Sequence, residues 1–112
     1  RKGAVSAAAG LSGTKAGRLA LIEKQPDALE TMIVMIGNRD FEEHALVALC
    51  NFCEEEDAVV KISKLGAGPT IMQRILDTDA GTSNLEAASK LLANVSRVPH
   101  GRRELIGYVA DG

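Results

Sequence analysis

The sequence predicts an all-α chain, a right-handed α-solenoid in which helices stack in a repeating order. A small-and-apolar helical segment occurs three times, as Val5-Ser6-Ala7-Ala8-Ala9-Gly10-Leu11-Ser12, Leu46-Val47-Ala48-Leu49-Cys50-Asn51-Phe52-Cys53 and Ser89-Lys90-Leu91-Leu92-Ala93-Asn94-Val95-Ser96. Aligned on Gly10, Asn51 and Asn94, the copies stand 41 and 43 residues apart, inside the window of about 40–47 residues typical of stacked helical repeats. Aromatic residues make up only 3% and Trp is absent. Leu, Ile, Val, Met and Ala must therefore fill the interior, which suits helix-on-helix packing better than a sheet.

Along the chain, residues 3–12 read as the end of a long inner helix, with Ser12-Gly13-Thr14 as its exit turn and Gly13 able to take a left-handed cap conformation. Residues 15–24 read as a short helix with Leu19, Leu21 and Ile22 inward. Pro26 stands where the next helix begins, ahead of Leu29, Met32, Ile33, Met35 and Ile36, and Gly37-Asn38 ends it. A long helix over 40–53 follows, then a short one over 55–64. Gly66-Ala67-Gly68-Pro69 acts as stop and start for a helix over 69–77. A loop over 77–82, a long helix over 83–97 and a short one over 100–108 complete the order. Three helices per interval is the armadillo pattern rather than the two-helix HEAT pattern. The expected units are a partial repeat at 1–13, repeats at 14–54 and 55–97, and the start of another at 98–112. Both ends lack the polar capping helix of a solenoid terminus, so the sequence reads as a piece of a longer stack.

The long helices show which side faces a partner. On the second, the stripe Asp40, His44, Val47, Asn51 and Glu54 is largely polar, while Phe41, Ala45, Leu46, Leu49, Cys50, Phe52 and Cys53 occupy the other faces. The same stripe on the third reads Ser83, Ala87, Lys90, Asn94 and Arg97, and on the first Ser6, Gly10 and Gly13. Stacked, these stripes form a groove in which His44, Val47, Asn51, Glu54, Lys90, Asn94 and Arg97 are the candidate protein-binding residues. Asn51 and Asn94 each carry a donor and an acceptor suited to an extended peptide backbone. The same amides can instead bond within their own helix ends.

The segment from Gly3 to Leu105 resembles the amino-terminal armadillo region of the HGH family of eukaryotic cytosolic proteins. The resemblance is carried by Ala88-Ser89-Lys90-Leu91-Leu92-Ala93-Asn94-Val95-Ser96-Arg97-Val98-Pro99, by Ala45-Leu46-Val47-Ala48-Leu49-Cys50-Asn51-Phe52, and by Leu11-Ser12-Gly13 with Gly17-Arg18 close behind. It implies a cytoplasmic cochaperone that helps translation elongation factor two to fold and delivers this client to the cytosolic chaperonin. The alternative is an armadillo scaffold or transport adaptor that binds an extended linear peptide. Importin alpha, the best-known such adaptor, stacks Trp on a bound Lys four residues before the groove Asn. Val47 and Lys90 stand at those positions here, and a Lys in the groove repels a basic peptide.

Other chemistries find little support. No apolar run reaches the roughly 18–20 residues of a membrane helix, so no membrane partner is expected. A net charge of −2 offers no global attraction for nucleic acid, and Arg97, His100, Arg102 and Arg103 form only a small basic cluster without aromatic neighbours. Cys50 and Cys53 form a C-x-x-C inside a helix with no second pair, which reads as two small core residues rather than a zinc or redox site. His44 and His100 have no Ser or Cys at catalytic spacing, so no catalytic residue, cofactor or metal is expected. Gly66-Ala67-Gly68-Pro69 lacks the Gly-Lys-Ser/Thr ending of a phosphate loop, and Asp77-Thr78-Asp79-Ala80-Gly81 breaks the calcium-loop pattern at Gly81. Asn94-Val95-Ser96 matches a glycosylation acceptor but lies in a predicted helix. Glu54, Glu55, Glu56 and Asp57 sit near a helix start, where negative charge is favourable.

Overall fold

The computed structural model describes residues 10–25, 27–76 and 82–111. Among these the secondary structure is all helical, and Gly10 and Leu11 are helical too. There follow α1 (Lys15–Lys24), α2 (Ala28–Met35), α3 (Glu42–Phe52), α4 (Glu56–Lys64), α5 (Ala67–Leu76), α6 (Thr82–Ser96) and α7 (Pro99–Asp111). The order short, short, long runs twice, α1 to α3 and α4 to α6. Pro26 and residues 77–81, where the sequence reading put a loop, lie outside the described residues.

Three exit turns share the same set of backbone hydrogen bonds. The carbonyls of Gly10, Asn51 and Asn94 accept from the amides of Gly13, Glu54 and Arg97 at 3.3, 3.1 and 3.2 Å. Those of Leu11, Phe52 and Val95 accept from Thr14, Glu55 and Val98 at 3.4, 3.0 and 3.4 Å. Those of Thr14, Glu55 and Val98 then accept from Arg18, Val59 and Arg102, at 3.0, 3.1 and 3.0 Å, and open the next short helix. These bonds satisfy carbonyls and amides that a helix end would otherwise leave without partners. Small residues make the turn possible. A Cβ on Gly17 would lie 2.1 Å from the Leu11 carbonyl oxygen, and one on Gly101 would lie 2.3 Å from that of Val95. Ala58 stands at the equivalent middle position and is buried.

Helix α3 packs against α2 and α6, and α6 also contacts α4, α5 and α7. The shared core holds Leu29, Met32 and Ile36 from the α2 region, Leu46, Leu49 and Phe52 from α3, Ile62 and Ile71 from α4 and α5, and Leu91 and Val95 from α6. Burying a side chain of this size contributes roughly 1.5–3 kcal/mol, so this cluster dominates the stability of the packed helices. Because α2 turns Leu29, Met32, Ile33 and Met35 inward, nearly its whole length serves the core, as the apolar run predicts.

Several local expectations change. Leu19 is 47% exposed, because the single inward position of α1 in that turn is taken by Leu21. Gly13 does not adopt the left-handed conformation; among the described residues only Gly66 does, at φ 83°, and it ends α4. Helix α3 begins at Glu42, two residues after Asp40. The Asp40 amide is held by the Asn38 side-chain oxygen at 3.0 Å in a turn before the helix. Helix α5 begins at Ala67 rather than Pro69, which the first helical turn tolerates because its amides have no partner there. Helix α7 runs on to Asp111.

Candidate protein-binding face

Helices α3 and α6 lie side by side, and their outward stripes meet in a shallow depression of about 290 Å³ lined by Val47, Cys50, Asn51, Glu86, Ala87 and Lys90. The candidates Val47, Asn51 and Lys90 are thus brought together, with Ala87 from the same stripe. His44 and Val47 are exposed on α3, and Lys90 on α6. Glu54 and Arg97 are also exposed, but each lies just beyond its helix, in the equivalent exit turns. Asp40 precedes α3 and leaves the stripe; Ser6 and the Ser83 side chain lie outside the described residues.

The two asparagines differ in what they hold. Asn51 donates from Nδ2 to Ser12 Oγ at 3.1 Å, joining α3 to the preceding unit, and Ser12 is fully buried. Asn94 donates instead to the Lys90 carbonyl of its own helix at 3.0 Å and accepts from Arg97 at 2.7 Å. The cause lies one unit back. The position equivalent to Ser12 is Cys53, and a thiol is a weak acceptor where a hydroxyl is a good one. Both amides are therefore engaged within the protein, as the second reading of the sequence allows.

Cys50 is half-buried and lines the depression rather than filling the core, which corrects the sequence reading; Cys53 is buried. Cys50 donates from Sγ to the Ala87 carbonyl at 3.3 Å, so its thiol hydrogen helps join α3 to α6. Burial pushes the Cys50 thiol up, against the lowering pull of Lys90. Burial also pushes Cys53 up to about 12, with Cys50 adding to the rise. Both sulfurs are held as thiols, unsuited to nucleophilic work at neutral pH. The ion pair Lys90–Glu86, at 3.6 Å on one helix, is about 70% exposed on both sides and leaves the ammonium accessible to a ligand.

Two polar groupings, and two glycines at the exit turns, escaped the sequence pattern. Glu42, in the first turn of α3 and only 2% exposed, takes hydrogen bonds from Arg74 on both carboxylate oxygens, one at 2.9 Å, and from Asn84 at 3.3 Å. It ties α3 to α5 and α6. Arg18 pairs through Nε with Glu55 at 3.1 Å and donates from a terminal nitrogen to the Ser12 carbonyl at 3.0 Å. Gly17 and Gly101 close the turns described above. The sequence signal was present in the dipeptides Gly17-Arg18 and Gly101-Arg102, 84 residues apart, the sum of the two repeat intervals. No signal marks Glu42, because an acidic residue in a first helical turn ordinarily faces water.

No group of three His, Cys, Asp or Glu among the described residues is placed to hold a metal ion. No described helix is long and apolar enough to cross a membrane. Comparison with protein-family models, with curated proteins and with solved structures returns no match.

Proposed function

We propose that the chain is a non-enzymatic protein-binding solenoid of the armadillo type, right-handed, whose α3–α6 face holds an extended segment of another protein. The observation that carries this is the depression where Val47, Asn51, Ala87 and Lys90 meet across two helices of equivalent position. An apolar floor beside an accessible cation and mixed polar rim suits a segment of mixed character. The recurrence of the same exit-turn hydrogen bonds in three copies supports the solenoid, since like turns lead successive helices away in similar directions. The sequence resemblance supplies the client: translation elongation factor two, folding with the cytosolic chaperonin in the cytoplasm.

The test is a quantitative pull-down of newly made elongation factor two. Val47→Asp combined with Lys90→Glu places acid on the floor and reverses the cation while leaving the buried core untouched. Binding is expected to weaken about tenfold or more, with far-ultraviolet circular dichroism unchanged. Undiminished capture by a folded double variant contradicts the proposed face. Capture of short linear peptides with no preference for elongation factor two favours the adaptor reading.

A further inference from the structure

The face of α4 formed by Val59, Ile62 and Ser63 is covered: the three residues are 2%, 0% and 0% exposed. What covers it includes α7, whose Gly101 approaches so closely that a Cβ there would lie 2.7 Å from Ser63 Oγ. The equivalent face of α7 is Arg102, Leu105 and Ile106. There Arg102 is exposed, Leu105 half-buried and Ile106 64% exposed. The backbone at the two places is the same, since the amides of Val59 and Arg102 bond the carbonyls of Glu55 and Val98 at 3.1 and 3.0 Å. Packing, not local conformation, separates them.

The first unit shows what an arginine at this position does when a unit follows. Arg18 is equivalent to Arg102, and its side chain is only 12% exposed. It bridges the Ser12 carbonyl of its own turn and the Glu55 carboxylate of the next. Glu55 stands three residues before Ala58, the small residue that lets a short helix close on the preceding turn. Arg102 has the Ser96 carbonyl in the equivalent place but no carboxylate partner among the described residues. A desolvated guanidinium needs such a partner, so an occupant that covers Ile106 must also bring an acid to Arg102.

We propose that the α7 face of Arg102, Leu105 and Ile106 is a docking surface for a further three-helix unit of this same build, continuing the stack. That unit presents a carboxylate to Arg102 from an exit turn of the pattern acid-x-x-small, as Glu55 and Ala58 do for Arg18. The assignment concerns a surface away from α3 and α6, and its test reads stability, so it stands apart from client binding.

A tandem chain supplies the occupant in defined form: Gly112 followed directly by a second copy of residues 29–112, which preserves the 84-residue register. The appended Glu55 then falls where Arg102 expects its acid. The tandem is expected to unfold in one transition at a higher midpoint than the single chain, with amide exchange at Ile106 slowed about tenfold or more. Arg102→Gln is expected to lower the tandem midpoint as Arg18→Gln does, and to leave the single chain unchanged. Glu55→Gln in the appended copy should produce the same loss, and the two changes together no more than either alone. Two separate transitions, one of them at the single-chain midpoint, overturn the proposal. So does a tandem in which Ile106 exchanges at the single-chain rate, or in which Arg102→Gln has no effect.

Discussion

The contact between α1 and the start of α4 is polar, and the equivalent contact between α4 and the start of α7 is apolar, although the same backbone hydrogen bonds precede both. At the first, Arg18 meets Glu55 and Asn51 meets Ser12. At the second, the equivalent positions hold Val59 and Val98, both packed in or against the core, and Asn94 turns back to its own helix because Cys53 replaces the hydroxyl. The turn geometry is thus set by backbone hydrogen bonds and small residues, and the side chains across each junction are free to change chemistry in pairs. Where one place has an ion pair, the other has two apolar side chains packed in or against the core. Such paired exchange lets neighbouring units recognise each other in a fixed order, since a unit that brings Glu55 to Val59 would bury a carboxylate without a partner.

Substitutions can break this contrast, beginning with the change of largest effect. Glu42→Ala removes the carboxylate on which Arg74 and Asn84 converge, and it is expected to cost about 4 kcal/mol, the scale for breaking a buried ion pair. Chemical denaturation measures this, and Glu42→Gln should recover part of the loss through its remaining acceptor. Gly101→Ala forces a methyl against the Val95 carbonyl and is expected to cost about 3 kcal/mol through overpacking. A neutral result would mean that the third turn can open as the second does around Ala58.

Smaller effects sharpen the polar side of the comparison. A double-mutant cycle on Arg18→Gln and Glu55→Gln should give a coupling of about 1 kcal/mol, since the pair is partly screened and joined by one charge-assisted hydrogen bond. Asn51→Ala should cost about 1 kcal/mol, because it removes a part-buried hydrogen bond to Ser12, while Asn94→Ala on an exposed helix face should cost a few tenths. The apolar junction has a signature of its own in alkali. Folding holds the Cys53 thiol protonated, raising it from 9.0 to about 12, whereas the unfolded chain loses that proton near its ordinary value. The stability this thiol contributes is therefore whole below about pH 9 and is lost as pH rises toward about 12. Comparing Cys53→Ala with the unchanged chain across that interval should show the alkaline loss reduced in the variant.

Much of the helix order was legible in the sequence because backbone punctuation and core volume leave regular marks. The spacing of Gly10, Asn51 and Asn94 located the turns, and Leu29, Met32, Ile33, Met35 and Ile36 faced inward as their spacing predicts. The outward positions of His44, Val47 and Lys90 were legible for the same reason, being members of the helical stripes opposite the core. Pairing between distant polar residues was not. Glu42 and Arg74, or Arg18 and Glu55, stand 32 and 37 residues apart with no periodic relation. Leu19 failed for a simpler cause: α1 is short and covered on one side, so one of its three large apolar residues had to face water.

The central claim is that the α3–α6 face, and not another surface, receives an extended client segment. A titration of the ¹⁵N-labelled chain with unstructured peptides of elongation factor two, followed by amide chemical shifts, tests it most directly. The molecule contains its own control in a second depression, lined by Asp27, Glu30, Thr31 and Val34 on the far side of the chain's core-forming α2 residues. The expected result is that shifts concentrate at Val47, Asn51, Ala87 and Lys90 and leave Thr31 and Val34 unmoved. Shifts confined to α2 or to α7, with Val47 and Lys90 silent, would contradict it.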